Sequence, residues 1–298
     1  MIIDLTKNSE NTFELQTEAK QDFSVGMTPA CFVDVDGVTY NVPDRFVTVR
    51  TDTYEPLGIV GDKYNIMQPN EVWEFIDAFR EVSGAELDKS IVDGPRIGVS
   101  LKINQREYIS GDPIDNNFLI YNTFDGSLPF CGKGLTNRLF CSNQINYQGA
   151  YWKIRHTTNM DRKIDLAKTM MNHFQDAQDK FDKKMLSLVA MSVKTFEAVS
   201  IFSDLLGEAK TDNAKSRKSN QTEVFKNILE NGIGFDVPGL KGTGYWVLQA
   251  ITEYANHHRS IRVSANKTAE DIKFQSIVWG SANNFMQKGF TSLLKKVG

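Results

Sequence analysis

The chain predicts an α+β fold: an antiparallel β-meander with packed helices, followed by a long helix and a mainly helical C-terminal part. Three observations carry this expectation. Short segments rich in Val, Ile, Thr and Tyr, bounded by Pro and Gly, fill much of residues 38–123. From Asn159 to Lys194, apolar side chains recur at alternating three- and four-residue steps. Past residue 221 the apolar spacing is helical again.

In chain order, residues 1–35 are polar and weakly patterned, which predicts an N-terminal arm. Residues 36–207 predict the α+β core with the long helix. Its first strands are VTYNV, RFVTVRT and LGIVG, broken by Pro43 and Pro56. Val72, Phe75, Ile76, Phe79 and Val82 then fall on one helical face, behind Pro69-Asn70-Glu71 as a start signal. Three strands follow: ELDKSIV, RIGVSLKI after an Asp93-Gly94-Pro95 turn, and NNFLIYNTF after Gly111-Asp112-Pro113. Alternation in the second puts Ile97, Val99, Leu101 and Ile103 on a buried face, with Arg96, Gly98, Ser100 and Lys102 opposite.

The long helix carries Ile164, Ala167, Met171, Phe174, Gln178, Phe181, Met185 and Leu188 in a 3.5-type repeat. Such a repeat predicts packing against another helix, within the chain or between subunits. Residues 208–221, EAKTDNAKSRKSNQ, hold four cations and no large apolar side chain, so they predict a basic linker or loop. Residues 222–298 predict helices in TEVFKNILE, GYWVLQAITEYANHH and NNFMQKGFTSLLKK.

Acids outnumber Lys plus Arg by 37 to 34, for a net charge of −3, which excludes a wholly basic nucleic-acid binder. Binding of a polyanion would need local segregation of charge, and one window has it. Between Gly126 and Met160 there is no Asp or Glu, while Lys133, Arg138, Lys153 and Arg155 alternate with Phe130, Phe140, Tyr147, Tyr151 and Trp152. Cations interleaved with aromatic rings suit a single strand, whose phosphates and bases they would hold. A second basic cluster, His257, His258, Arg259, Arg262 and Lys267, follows the predicted helix ending in NHH, where cations also complement the helix dipole.

Motifs for other chemistry fail on spacing. Gly132-Lys133-Gly134 lacks the Ser or Thr of a phosphate loop, and the glycines at 232, 234, 239, 242 and 244 do not form G-x-G-x-x-G. The four histidines make no H-E-x-x-H, and no G-x-S-x-G elbow is present. The acids Asp112, Asp115 and Asp125, which a nuclease would need clustered, stand beside Gly or Pro as turn residues do. Cys31, Cys131 and Cys141 have neither disulfide nor zinc spacing, which suits a reducing compartment. No apolar run approaches 18 residues and the N-terminus has no apolar signal region, so the expectation is a cytoplasmic protein without a membrane span.

The run RFVTVRTDTYEPLGIVGDKYNIMQPNEVWEFID resembles the signature of the phage/plasmid-like proteins of unknown function. FDGSLPF at 124–130 and NRLFCSN at 137–143 resemble two further motifs of that family, with Phe124 where its pattern has histidine. IRHTTNMDRKIDLA and GTGYWVLQAITEYANHHR resemble its later landmarks, so the likeness covers nearly the whole chain after residue 35. The resemblance implies a host bacterial cytoplasm and supplies no activity. The order of elements is also similar to the β-β-β-α core of ring-forming single-strand annealing proteins, a likeness of fold alone.

Together these readings predict a non-enzymatic single-stranded DNA-binding or annealing protein of replication or recombination. It would need no cofactor or metal and would form a homo-oligomeric ring or filament. The expected DNA contacts are Arg96, Lys102, Lys133, Arg138, Lys153 and Arg155 on phosphates, with Tyr151 and Trp152 stacking on bases. The alternative is an oligomeric assembly protein, without DNA binding, joined through the long helix.

Overall fold

In the computed structural model, which describes residues 23–138, 143–154, 163–260, 269–278 and 280–297, two antiparallel sheets precede a run of helices. The first sheet has the order β1-β2-β3, with β1 Val25–Val33, β2 Thr39–Arg50 and β3 Pro56–Gly61. The residues expected as a free arm thus include a paired strand: Val25 stands opposite Arg50 and Val33 opposite Thr39.

Helix α1, Pro69–Ser83, follows. Pro69 occupies its first turn, where the missing N–H costs nothing, and the Glu71 carboxylate accepts from the Gln68 N–H at 2.7 Å. The helix stops at Gly84, whose positive φ of 67° lets its N–H donate to the Arg80 carbonyl at 2.8 Å. Its buried face holds Val72, Phe75, Ile76 and Phe79 of the predicted stripe and adds Trp73, while Val82 is only half-buried.

The second sheet is a meander in sequence order: β4 Glu86–Asp93, β5 Arg96–Glu107, β6 Pro113–Thr123, β7 Phe130–Arg138 and β8 Asn143–Ile154. The face assignment in β5 holds for Ile97, Val99 and Leu101 inside and Arg96, Ser100 and Lys102 half-exposed, but Gly98 is buried too and Ile103 is only half-buried. The last two strands have no counterpart in the sequence reading. They occupy the acid-free window, where buried Gly132, Lys133, Gly134, Thr136 and Arg138 break any alternation. A strand covered on both faces has no polar side to announce it.

The long helix is α2, Lys163–Ala190, and its repeat is buried at Ala167, Met171, Phe174, Gln178, Phe181, Met185 and Leu188. Ile164 lies outside the described side chains. Helix α3, Thr195–Leu206, leads to α4, Asp212–Asn231. The expected basic linker is therefore corrected: residues 212–221 are the first half of α4. The Thr211 hydroxyl caps it, accepting from the Ala214 N–H at 3.2 Å, and Phe225, Ile228 and Leu229 anchor its second half. Replacing Thr211 by alanine is expected to lower stability by about 1 kcal/mol, read from urea unfolding; an unchanged midpoint would remove the cap from this account. Helix α5, Gly244–Glu253, continues into a π-helical turn, Tyr254–His258, and α6, Ala269–Val278, and α7, Ser281–Val297, complete the chain.

The fold divides into two compact units, but not in the sequential order expected. One comprises residues 1–102, 119–132 and 152–169, the other 103–118, 133–151 and 170–298. The chain passes from one to the other within β5, β6, β7, β8 and α2, so no linker separates them. In the second unit α2 spends its stripe inside the chain. Phe174 meets Phe118 of β6 edge-on at 5.4 Å, and Phe181 lies 5.5 Å from Phe290 of α7. The long helix is not a seam left open for another subunit.

Candidate nucleic-acid interface

Among the described residues, the cations of the acid-free window do not form a surface stripe. Arg138, 1% exposed, donates from Nε to Asp112 at 2.7 Å and from its terminal nitrogens to the Ile233 and Gly234 carbonyls at 3.1 and 2.8 Å. Asp112 is 0% exposed and also accepts from the Tyr245 hydroxyl at 3.0 Å. Lys133 is buried as well and donates to the Val278 carbonyl. A charge taken out of water must find such partners, and having found them it is not presented to a phosphate. The expected phosphate roles of Lys133 and Arg138 are corrected accordingly, and so is the reading of Asp112 as a mere turn residue. Gly132-Lys133-Gly134, being inside β7, is also no phosphate loop.

The remaining expected residues scatter. In the first unit Trp152 is half-buried, and its ring packs on Phe130 at 5.1 Å and on Phe75 at 5.7 Å. It is a core ring rather than a stacking platform, which corrects its expected role. Lys153, its neighbour, is exposed. Arg96 and Lys102 are half-exposed, but the register sets them opposite Asp93 and Glu86, so acids stand across the strand pair from both. Tyr151 stands in β8 with its side chain outside the description, and Arg155 lies outside the described residues.

A different set of residues does converge, in the second unit. Along α4 the side chains of Lys215 and Arg217 are exposed, Lys210 is exposed just before the helix, and Lys218 is half-buried with its ammonium on the Gly207 carbonyl at 2.7 Å. Asn213, Ser216, Arg217, Asn220, Gln221 and Val224 of α4, with Tyr254 and His258 of the π-helical turn and Ser260, line a cleft of about 480 Å³. None of these lining residues is acidic. Burial raises the Tyr254 phenol above its ordinary value, against the lowering by its hydrogen bond to Gln221 and by Arg259, so it stays neutral. The buried Glu253 carboxylate lies 3.9 Å from His258 Nε2 and already accepts from the Ile233 N–H. Tyr254 and His258 stand at the two ends of the π-helical turn, and both line the cleft.

Sequence reasoning saw both halves of this cleft, the 208–221 cations and the His257–Arg259 cluster, without joining them. The signal for joining them was Thr211 before Asp212, an N-cap opening a helix that runs into Phe225, Ile228 and Leu229. Among the described residues no three His, Cys, Asp or Glu side chains stand together as a metal site would need, and no helix is long and apolar enough to cross a membrane.

A family model described as Domain of unknown function (DUF932) matches residues 56–279. The chain belongs to the DUF932 family. The DUF932 match begins with β3 and runs through the meander, the cleft and α6, and it leaves β1 and β2 outside. No curated protein and no solved structure matches the chain.

Proposed function

We propose that this DUF932 protein binds single-stranded DNA without catalysis, and that it brings strands together during phage or plasmid replication or recombination in a bacterial cytoplasm. The observation that carries the reading is the cleft between α4 and the π-helical turn. Its lining mixes polar and apolar surface, holds Arg217 and His258, has a Tyr254 wall and contains no acid, and Lys215 and Lys218 of α4 stand next to its lining residues in the chain. A flexible strand suits such an open cleft, with its phosphates on the cations. Lys215 pairs with the fully exposed Asp212 at 3.2 Å, a surface contact weak enough for a phosphate to replace. Capture of a backbone with the bases left displayed needs no cofactor.

The test is a fluorescence-anisotropy titration of a labelled oligo-dT at two salt concentrations. With three to four phosphate contacts from Lys210, Lys215, Arg217 and Lys218, at about 0.7 per contact, the log–log salt slope is expected to be about −2 to −3. Arg217→Glu with Lys210→Glu is expected to weaken binding about tenfold or more at low salt. Both side chains are exposed, so folding is expected to be unaffected. No binding by the wild type at low salt, or binding indifferent to the double charge reversal, would sink the reading.

A further inference from the structure

The π-helical turn also borders a second cavity, of about 250 Å³, where its C-terminal end meets α6 and α7. The buried Asn256, with Arg259 and Ser260 just beyond the turn, lines one side. Lys273 and Ser276 line it from α6, and Ser281 from the start of α7. The corner between these two helices is tied locally. The Gly280 N–H donates to the Ser276 carbonyl at 3.1 Å, and the Ser276 hydroxyl accepts from the Ala282 N–H at 3.2 Å. Arg259 joins the turn to this corner: its Nη1 donates to the Ser281 carbonyl at 2.9 Å, and its guanidinium lies 5.3 Å from the Phe285 ring.

The described lining carries two cations and three hydroxyls, and none of its residues is acidic. A guanidinium has five N–H donors. The hydrogen bond of Arg259 goes to a neutral carbonyl, and no carboxylate of the described residues pairs with it. Charge and size select the class of ligand. A phosphate monoester carries about −1.5 to −2 at pH 7 and offers three acceptor oxygens, which suits two cations among hydroxyls; a carboxylate or a phosphodiester brings a single charge. The guanidinium fork fits phosphate oxygens in pairs. The volume lies below the roughly 300–1,000 Å³ of sites that enclose a whole drug-sized ligand, so it suits the phosphate group with little attached to it.

We propose that this cavity binds the phosphate group of a phosphate monoester. Arg259 and Lys273 neutralise it, and Ser260, Ser276 and Ser281 hydrogen-bond its oxygens. The site does not rest on the DNA reading. Ser260 nevertheless lines the α4 cleft as well, so the group has two sources: a free mononucleotide or inorganic phosphate, and the terminal phosphate of a strand lying in the cleft.

Isothermal titration calorimetry of the full chain with inorganic phosphate and with dTMP, at fixed ionic strength, tests the proposal. The wild type is expected to show saturable binding at one site per chain. Arg259→Gln and Lys273→Gln are each expected to weaken it about tenfold or more. Arg259 also ties the turn to α7, so the thermal midpoint of its variant is measured alongside; the half-buried Lys273 gives the second, independent variant. Tighter binding of an oligo-dT ending in a phosphate than of the same strand ending in hydroxyls would assign the group to a strand end, and equal binding would assign it to the free ligand. Arg217→Glu with Lys210→Glu should leave the inorganic phosphate site saturable, which tells failure of the cleft from failure of this cavity. No saturable uptake of either small ligand by the wild type, or uptake unchanged in both glutamine variants, would overturn the proposal.

Discussion

Asp112→Ala is expected to lower folding stability by about 3–5 kcal/mol, the largest single effect predicted for this chain. The substitution leaves the Arg138 guanidinium buried without its carboxylate and takes from Tyr245 the acceptor of its hydroxyl. The two carbonyls that Arg138 also reaches, Ile233 and Gly234, cannot neutralise it. The cost arises from the stranded charge rather than from the lost attraction, so its reversal has a signature. Asp112→Leu combined with Arg138→Met should be less destabilised than the sum of the single changes, because no ion remains to desolvate. Urea unfolding of the four proteins measures this, and a loss below about 1 kcal/mol in Asp112→Ala would contradict the buried pair. The same geometry makes Arg138 a poor probe of DNA binding. Its substitution would lower stability and so confound any loss of binding, whereas Arg217 is free of that objection, being exposed on α4.

The second large effect belongs to Gly132. A Cβ at this position would lie 2.3 Å from Nε1 and 2.5 Å from Cε2 of Trp152, distances no real carbon tolerates. The indole cannot swing aside, because Phe75 and Phe130 hold it. Gly132→Ala is therefore expected to cost about 3 kcal/mol, at the upper end of ordinary overpacking. Trimming the ring should relieve it: adding Trp152→Leu to Gly132→Ala should cost less than the two single losses summed, a coupling that thermal or urea unfolding can resolve. Full additivity would place the ring elsewhere. The absence of a side chain at residue 132 is what allows Trp152 to rest against the β7 backbone.

Where one face of an element meets water, the sequence was readable. The α1 stripe, the alternation in β5 and the α2 repeat all state their buried sides through spacing, because polar residues mark the other side. Strand β7 defeats the same reasoning. Its interior holds Lys133 and Arg138, residues that ordinarily signal solvent, and only the tertiary partners Val278, Asp112, Ile233 and Gly234 make their burial possible. Local composition cannot supply partners up to 145 residues away. The α4 segment failed for the opposite reason. Its first half is polar all round, so no periodicity announces a helix, and its cap and its apolar second half decide the matter. The exposure of Val38, Tyr40 and Val42 was invisible because nothing in VTYNV distinguishes a half-covered strand from an uncovered one.

The interleaving of the two units bears on how the chain can be made. The second unit begins at residue 103, before the first is finished at residue 169, and it is completed only near the C-terminus. A nascent chain emerging from the ribosome therefore cannot finish one half and then start the other. Much of the contact map joins residues distant in sequence, a topology that folds slowly and keeps unpaired strand edges open meanwhile. No cut along the sequence yields a contiguous piece containing either unit alone. Expression of the 36–207 segment as a separate protein should give an aggregation-prone fragment.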